Sequence, residues 1–257
     1  MGTYAISGAA SGICAATADR LKREGHRIIG IDVAPTDIVA DLATPEGRRH
    51  AAERVTELSG GSLDGVVSGA GLGPYCDPEP ILRVNFFGAL ALLDDLQPLL
   101  AKGTEPAAVA ISSIGAIYVD VVPDQAVPEC LDACMAGDEE AAVAAIRKRN
   151  GNDSYCLAKR ALALKVREYA SAWGAAGIRL NALAPGSTET PMLDKIYDTE
   201  VIGDAVRSMP IPLGRTAPPE ELASVICFLL GRDARFVHGA MIHADGGSDS
   251  IVRPTHL

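Results

Sequence analysis

Apolar residues along this chain follow two patterns that take turns: short unbroken runs closed by glycine or proline, and longer stretches with helical spacing. Thr3–Ser7 reads as a buried strand. It runs into the turn Gly8-Ala-Ala-Ser11-Gly12-Ile13-Cys14 and then a helical segment ending near Glu24-Gly25. Arg27–Asp32 is a second strand and residues 38–41 a short third. Thr44 and Pro45 then supply an N-cap and first-turn proline for a helix reaching about Leu58, broken by Gly60-Gly61. A fourth strand covers 65–71, a helical stretch about 80–100, and a fifth strand 107–113. A helix from 152 to 173 precedes a sixth strand at 178–184, closed by Pro185-Gly186. A helix at 218–230 and a last strand at 241–247 complete the pattern. Strands alternate with helices and no linker divides them. The pattern predicts a single α/β domain over 1–257: a Rossmann-type doubly wound parallel sheet of about seven strands with helices on both faces.

One stretch interrupts this rhythm. Residues 119–149 lie between the fifth strand and the long helix. Pro128 to Gly137 opens with proline and ends with glycine, as a short helix would. Asp138-Glu-Glu then leads an alanine-rich run to Arg147-Lys-Arg149, acids first and bases last, matching a helix dipole. The segment is predicted to be inserted and helical.

Two places carry chemistry. Tyr155 and Lys159 stand one helical turn apart, on one face of the predicted helix. A phenol titrates near pH 10, so proton exchange near neutrality needs a shift of roughly three units. A neighbouring ammonium shifts it in the required direction, by favouring the phenolate. The glycine turn after the first strand is the second place: glycines let backbone approach a pyrophosphate, and the following helix N-terminus presents free N–H groups. Asp32 closes the second strand about 20 residues beyond, where a carboxylate accepts hydrogen bonds from ribose hydroxyls. Neither Ser11 nor Val33-Ala34-Pro35 offers a cation for a 2′-phosphate, so NAD is favoured over NADP.

Composition narrows the picture. With 48% hydrophobic and 22% charged residues, the chain is an ordinary globular protein. A net charge of −10 without clustered Lys and Arg argues against a nucleic-acid surface. There is no apolar run long enough for a membrane span, and the early first strand leaves no room for an export signal. The expectation is a cytoplasmic protein. Its six cysteines form no C-x-x-C pair and its five histidines are scattered, so reduced thiols and no metal site are expected.

The turn S-G-A-A-S-G-I, Asp32, Asp41-Leu42, S-G-A-G at 68–71, V-N-F-F-G at 84–88, I-S-S at 111–113, Y-C-L-A-K at 155–159 and P-G-S-T-E-T-P at 185–191 occur in that order. On these motifs the sequence resembles the short-chain dehydrogenase/reductase family over nearly its whole length. The resemblance implies a catalytic set of Asn85, Ser113, Tyr155 and Lys159. Tyr155 would exchange a proton with the substrate oxygen and Ser113 would fix that oxygen. Lys159 would lower the tyrosine pKa and bind the nicotinamide ribose, while Asn85 would hold a relay water. Gly8, Ser11, Gly12 and Ile13 would border the pyrophosphate, and Asp41 with Leu42 the adenine. Gly69, Ala70 and Gly71 would let the cofactor lie close, and Thr188, beside Pro185 and Gly186, would hold the nicotinamide carboxamide.

Three departures from the family pattern stand out: Cys14 replaces the usual third glycine, the link from Gly71 to Asn85 is short and proline-marked, and 119–149 is inserted. Family members commonly pair through the helices after the fourth and fifth strands. The chain is expected to form a homodimer or homotetramer whose pairing the insertion alters, or to use the insertion at the substrate mouth. Ile114, Tyr118, Met192, Leu193 and Ile196, with Ile117 and Met209, would frame an apolar pocket, and Lys195 is the one cation expected in reach. Such a pocket suits a hydrophobic alcohol or ketone. The insertion, the short link, the A-W-G-x-A-G-x-R-L-N run at 172–181 and the R-P-T at 253–255 are similar to bacterial 3α-hydroxysteroid dehydrogenase/carbonyl reductases. Coniferyl-type aromatic alcohol dehydrogenases are the alternative within this chemistry. A non-catalytic NAD-sensing regulator is the alternative outside it, opposed by the four polar residues; a serine hydrolase lacks its G-x-S-x-G.

Overall fold

The computed structural model describes residues 1–122 and 126–255. Its strands are β1 (Thr3–Ser7), β2 (Arg27–Asp32), β3 (Ile38–Val39), β4 (Gly65–Ser68), β5 (Ala107–Ile111), β6 (Arg179–Pro185) and β7 (Met241–Ala244). They form one sheet in the order β3-β2-β1-β4-β5-β6-β7, every pair parallel. Successive side chains of a strand point to opposite faces, and here both faces are apolar. Ala5, Val66 and Ala108 join one core cluster, whereas Ile6, Val67 and Val109 join the other. The first face is covered by α2 (Pro45–Ser59), α4 (Ala89–Leu100) and α8 (Gly151–Ala175), the second by α1 (Gly12–Arg23) and α11 (Pro219–Leu230). This is the doubly wound arrangement expected.

Several strands end earlier than the apolar runs suggest. β4 stops at Ser68 rather than Gly71, and β5 at Ile111 rather than Ser113. The chain leaves the sheet there because the carboxyl ends of the central strands open onto a cavity, which needs these backbones splayed. The stretch expected as a helix from about Pro80 begins at Pro78. It comprises α3 (Pro78–Leu82), a π-helical turn Arg83–Gly88, and α4. Such π turns are frequently found at functional sites.

In the 119–149 stretch, α5 (Tyr118–Val121) is followed by α6 (Pro128–Ala136) and α7 (Glu139–Ile146); residues 123–125 lie outside those described. Gly137 adopts φ 76° to close α6, and the Asp138 carboxylate caps α7 by accepting from Ala141 N–H. Cys130 and Cys134 are fully buried between α6 and its neighbours rather than exposed as ligands. Among the described residues no cluster of three or more His, Cys, Asp and Glu converges as a metal site, and no helix is long and apolar enough to cross a membrane. After β6 come α9 (Pro191–Tyr197) and α10 (Glu200–Arg207), and after β7 the short α12 (Ser248–Val252).

Candidate active site

A cavity of about 580 Å³ lies at the carboxyl edge of the sheet, beside the point where strand order reverses between β1 and β4. Ligands of open α/β sheets bind at that place. β5 delivers Ser113 to its wall. Ser113 extends the chain beyond the strand, accepts from Gly115 N–H at 3.0 Å, and starts a 3₁₀ turn over Ile114–Ile117. Helix α8 brings Tyr155 and Lys159. Its start is fixed by Asn150, whose side chain accepts from Asp153 N–H, and by the Ser154 hydroxyl donating to Pro78 C=O at 2.6 Å. Gly151 approaches the Pro74 and Cys76 carbonyls more closely than a Cβ would permit. The Ser112 hydroxyl ties β5 to α8 by donating to Lys159 C=O at 2.8 Å.

These supports bring the Ser113 and Tyr155 side chains to one stretch of the cavity wall, where both flank Gly115: a Cβ there would lie 3.4 Å from Ser113 Oγ and 3.2 Å from the Tyr155 ring. Lys159 is buried. Its ammonium lies 5.9 Å from the Tyr155 ring centroid and donates to Ile111 C=O at 2.7 Å. The electrostatics differ from the sequence expectation in one respect. Without cofactor, Lys159 does not hold the Tyr155 pKa down. Burial pushes the phenol up to about 12, opposed by the neighbouring Ser113 hydroxyl. Burial likewise lowers Lys159 to about 8. Loss of hydration outweighs attraction for both groups, because each is desolvated in its charged form.

Asn85 lies behind the cavity wall. It sits in the π turn, fully buried, and is not part of the cavity wall. Its amide is spent on one backbone: Oδ1 accepts from Leu72 N–H at 2.7 Å and Nδ2 donates to Leu72 C=O at 2.9 Å. The side chain therefore shapes the loop after β4, and its Oδ1 and the Lys159 ammonium both lie beside Gly71. Leu72 itself lines the cavity.

The other half of the cavity is built for a nucleotide. Gly8 and Gly12 adopt φ 76° and 57°, and a Cβ on Gly8 would press on the Gly69–Ala70 backbone. Ser11, Gly12, Ile13, Asp32, Asp41, Leu42, Gly69, Ala70, Gly71, Pro185, Gly186 and Thr188 all reach the wall, as expected. Asp32 also stiffens the turn, accepting from Ala10 and Ala34 N–H at 3.1 Å each. The Cys14 departure resolves in space: its buried sulfur occupies the volume in which a Cβ on Gly69 would lie, 2.2 Å away. Among the described residues Lys159 is the one cation lining the cavity, so Asp32 has no basic neighbour among them there to greet a 2′-phosphate. These residues fit a dinucleotide lacking that phosphate.

The remaining wall is apolar. Ile114, Tyr118, Met192, Leu193, Ile196 and Met209 line it as expected, whereas Ile117 is buried behind it and Lys195 does not reach it. Ile202 and Val206 of α10 were missed. Their signal is visible afterwards: Thr199 caps a turn in which two apolar residues follow at i and i+4 spacing. Tyr118 is steadied through its neighbour Asp120, which pairs with Arg160 of α8 at 3.0 Å and with Arg253 at 2.8 Å. None of the described residues of 119–149 borders the cavity.

Comparison with known proteins bears on this geometry. Residues 140–249 match the family model described as enoyl-(acyl carrier protein) reductase. The chain is 43% identical over 261 residues to the 3-alpha-hydroxysteroid dehydrogenase/carbonyl reductase of Comamonas testosteroni, covering all of both sequences. It is 27% identical to the coniferyl-alcohol dehydrogenase of a Pseudomonas species, over 94% of each. The crystal structure of the 3-alpha-hydroxysteroid dehydrogenase from Pseudomonas sp. B-0831, complexed with NADH, superimposes with a TM-score of 0.95 at 40% identity, over 99% of this chain and 100% of that one. A glycine turn, a strand-end serine beside a helical tyrosine–lysine pair, and full-length identity of this order agree: the chain belongs to the short-chain dehydrogenase/reductase family.

Proposed function

We propose that this protein is an NAD-dependent oxidoreductase that interconverts a secondary alcohol and a ketone on a bulky hydrophobic substrate, most consistently a 3α-hydroxysteroid. The observation that carries the reading is the juxtaposition of the Ser113 and Tyr155 side chains around Gly115, at the junction of an apolar pocket and a nucleotide cradle. Ser113 and Tyr155 together define one point where a substrate oxygen is held by two hydroxyls. Tyr155 is a protonated phenol in the free protein and is ready to give its proton to a carbonyl oxygen. The reverse direction needs the phenolate, which the neighbouring Ser113 hydroxyl favours. NAD supplies the hydride chemistry and, when oxidised, a positive ring. Lys159, Gly71 and Asp32 would hold its ribose ends, and Asn85 fixes the Leu72 loop that lines the same cavity. Asn85 is in this reading a positioning residue.

The steroid assignment rests on the 43% identity over the full chain and on a pocket wall that is mainly aliphatic, with Ile114, Leu193, Ile196, Ile202 and Val206 beside Tyr118. A panel of 3α-hydroxysteroids, bile acids and aryl alcohols, followed by NADH absorbance, tests it; preference for coniferyl-type alcohols would overturn the substrate. For the chemistry, Tyr155→Phe is expected to lower kcat by about 10²–10⁴-fold while NADH still binds, measured by fluorescence titration. Retained turnover in that variant would remove Tyr155 from its role.

A further inference from the structure

Arg48 is a cation that the family motifs do not account for. It lies in the first turns of α2 and is buried. Its guanidinium is fully committed. Nε donates to Leu42 C=O at 2.7 Å, and Nη2 donates to Ala43 C=O at 3.3 Å and Arg83 C=O at 3.0 Å. Nη1 and Nη2 together grip the Glu139 carboxylate at 2.6 and 2.9 Å. The first two carbonyls belong to cavity-wall residues, next to Asp41. The third opens the π turn that carries wall residue Val84 and the Leu72 clamp Asn85. Leu42 C=O is also pressed by Gly88, where a Cβ would come within 2.8 Å of it. One side chain thus sets three carbonyls around one end of the cavity.

Glu139 is the first residue of α7, in the 119–149 stretch, which nowhere borders the cavity among the described residues. Among the described ion pairs it is the carboxylate that faces Arg48, and it also accepts from Arg83 at 2.8 Å. Glu140 and Glu79 meet only Arg83 or Arg147, farther out. A buried guanidinium stripped of its counter-charge either draws in water or shifts toward solvent. Either response moves the Leu42 and Ala43 carbonyls.

We propose that Glu139 is a positioning residue for the cofactor: by holding Arg48, it sets the Asp41–Ala43 wall and thereby the affinity for the adenosine half of NAD. The 119–149 segment then acts on the dinucleotide without touching it. This rests on the reading of the Asp41 side as the adenosine end. The two can fail separately.

The test compares ligands that contain different halves of NAD, using the full chain. ADP-ribose binding is measured by calorimetry, and turnover is measured with nicotinamide mononucleotide in place of NAD. Glu139→Gln is expected to weaken ADP-ribose roughly 5- to 10-fold, about 1 kcal/mol or more. The KM for the mononucleotide and kcat stay unchanged. Glu140→Gln, on the same helix and largely exposed, is expected to leave both ligands alone. A merely structural role would weaken both halves together and in step with lost thermal stability, which overturns the proposal. If Glu139→Gln binds ADP-ribose normally while Asp41→Ala does not, the proposal falls and the adenosine site stands. If neither variant changes ADP-ribose affinity, both fall. Should Glu139→Gln not fold, Glu139→Asp, which keeps the charge but draws it back by one methylene, carries the same comparison with the same outcomes.

Discussion

Lys159 and Tyr155 are two buried ionisable groups whose ordinary titrations burial drives apart, and the sign of each shift sets a pH dependence. Lys159 falls to about 8 from an ordinary 10.5. Between those values the unfolded chain holds a proton that the folded chain has released, so this group makes stability rise with pH through that window. Below about pH 8 both states are charged and the burial cost is fully felt. Tyr155 works in the opposite sense, keeping its proton in the fold from its ordinary 10 up to about 12, so its contribution is lost as pH rises through that range. Cys14 and Cys156 are also raised, each to about 12, and oppose Lys159. The difference between wild type and Lys159→Met isolates the lysine. Without cofactor, the variant is expected to be the more stable below pH 8, and the gap to close as pH approaches 10.5, followed by calorimetric Tm. A gap independent of pH would mean that the ammonium is not buried in solution.

At the scale of elements, α10 shows what lay beyond the sequence reading. Its Ile202 and Val206 face the cavity while Val201 faces solvent. Replacing Ile202 with Asn should raise KM for a hydrophobic substrate about 10-fold, since fully burying such a side chain is worth about 1.5–3 kcal/mol. The KM for NAD should not move; initial rates varied in each substrate separate the two. Equal effects on both would place α10 at the cofactor instead. The strands, the cap at Thr44, the acidic start of α7 and the Gly137 stop are legible in the sequence, because each is a local contest decided within a few residues; the cap at Asn150 was not, and the helix it starts was read from 152. Nearly every cofactor-side wall residue is legible too, carried by motif. The π turn was not legible. It depends on Asn85 pairing with the backbone of Leu72, thirteen positions back, and no periodicity announces such a partner. Arg48 was equally hidden, since it reads as one of several basic residues on a solvated helix until Leu42, Arg83 and Glu139 converge on it.

For the whole molecule, the 119–149 segment bears on assembly. α6 packs on α8, and α7 on α3 and the π turn. Asp153, Ser154, Leu157, Ala161, Leu162 and Val166 of α8 are all buried in the single chain. The apolar ones among them belong to the core under the sheet. We propose that the chain self-associates, and that it does so through a surface other than α4. Asp95→Arg, on an exposed part of α4, should leave the sedimentation coefficient unchanged; dissociation of the assembly would show that α4 still forms the contact.

The exchange between Cys14 and Gly69 has a consequence for recognising relatives. A fingerprint written as three glycines in the first turn describes empty space, yet the space is shared by two chain segments, and either can vacate it. Searches that insist on glycine at position 14 would pass over proteins built this way, whereas a rule that admits a thiol there whenever the facing residue after the fourth strand has no side chain would recover them.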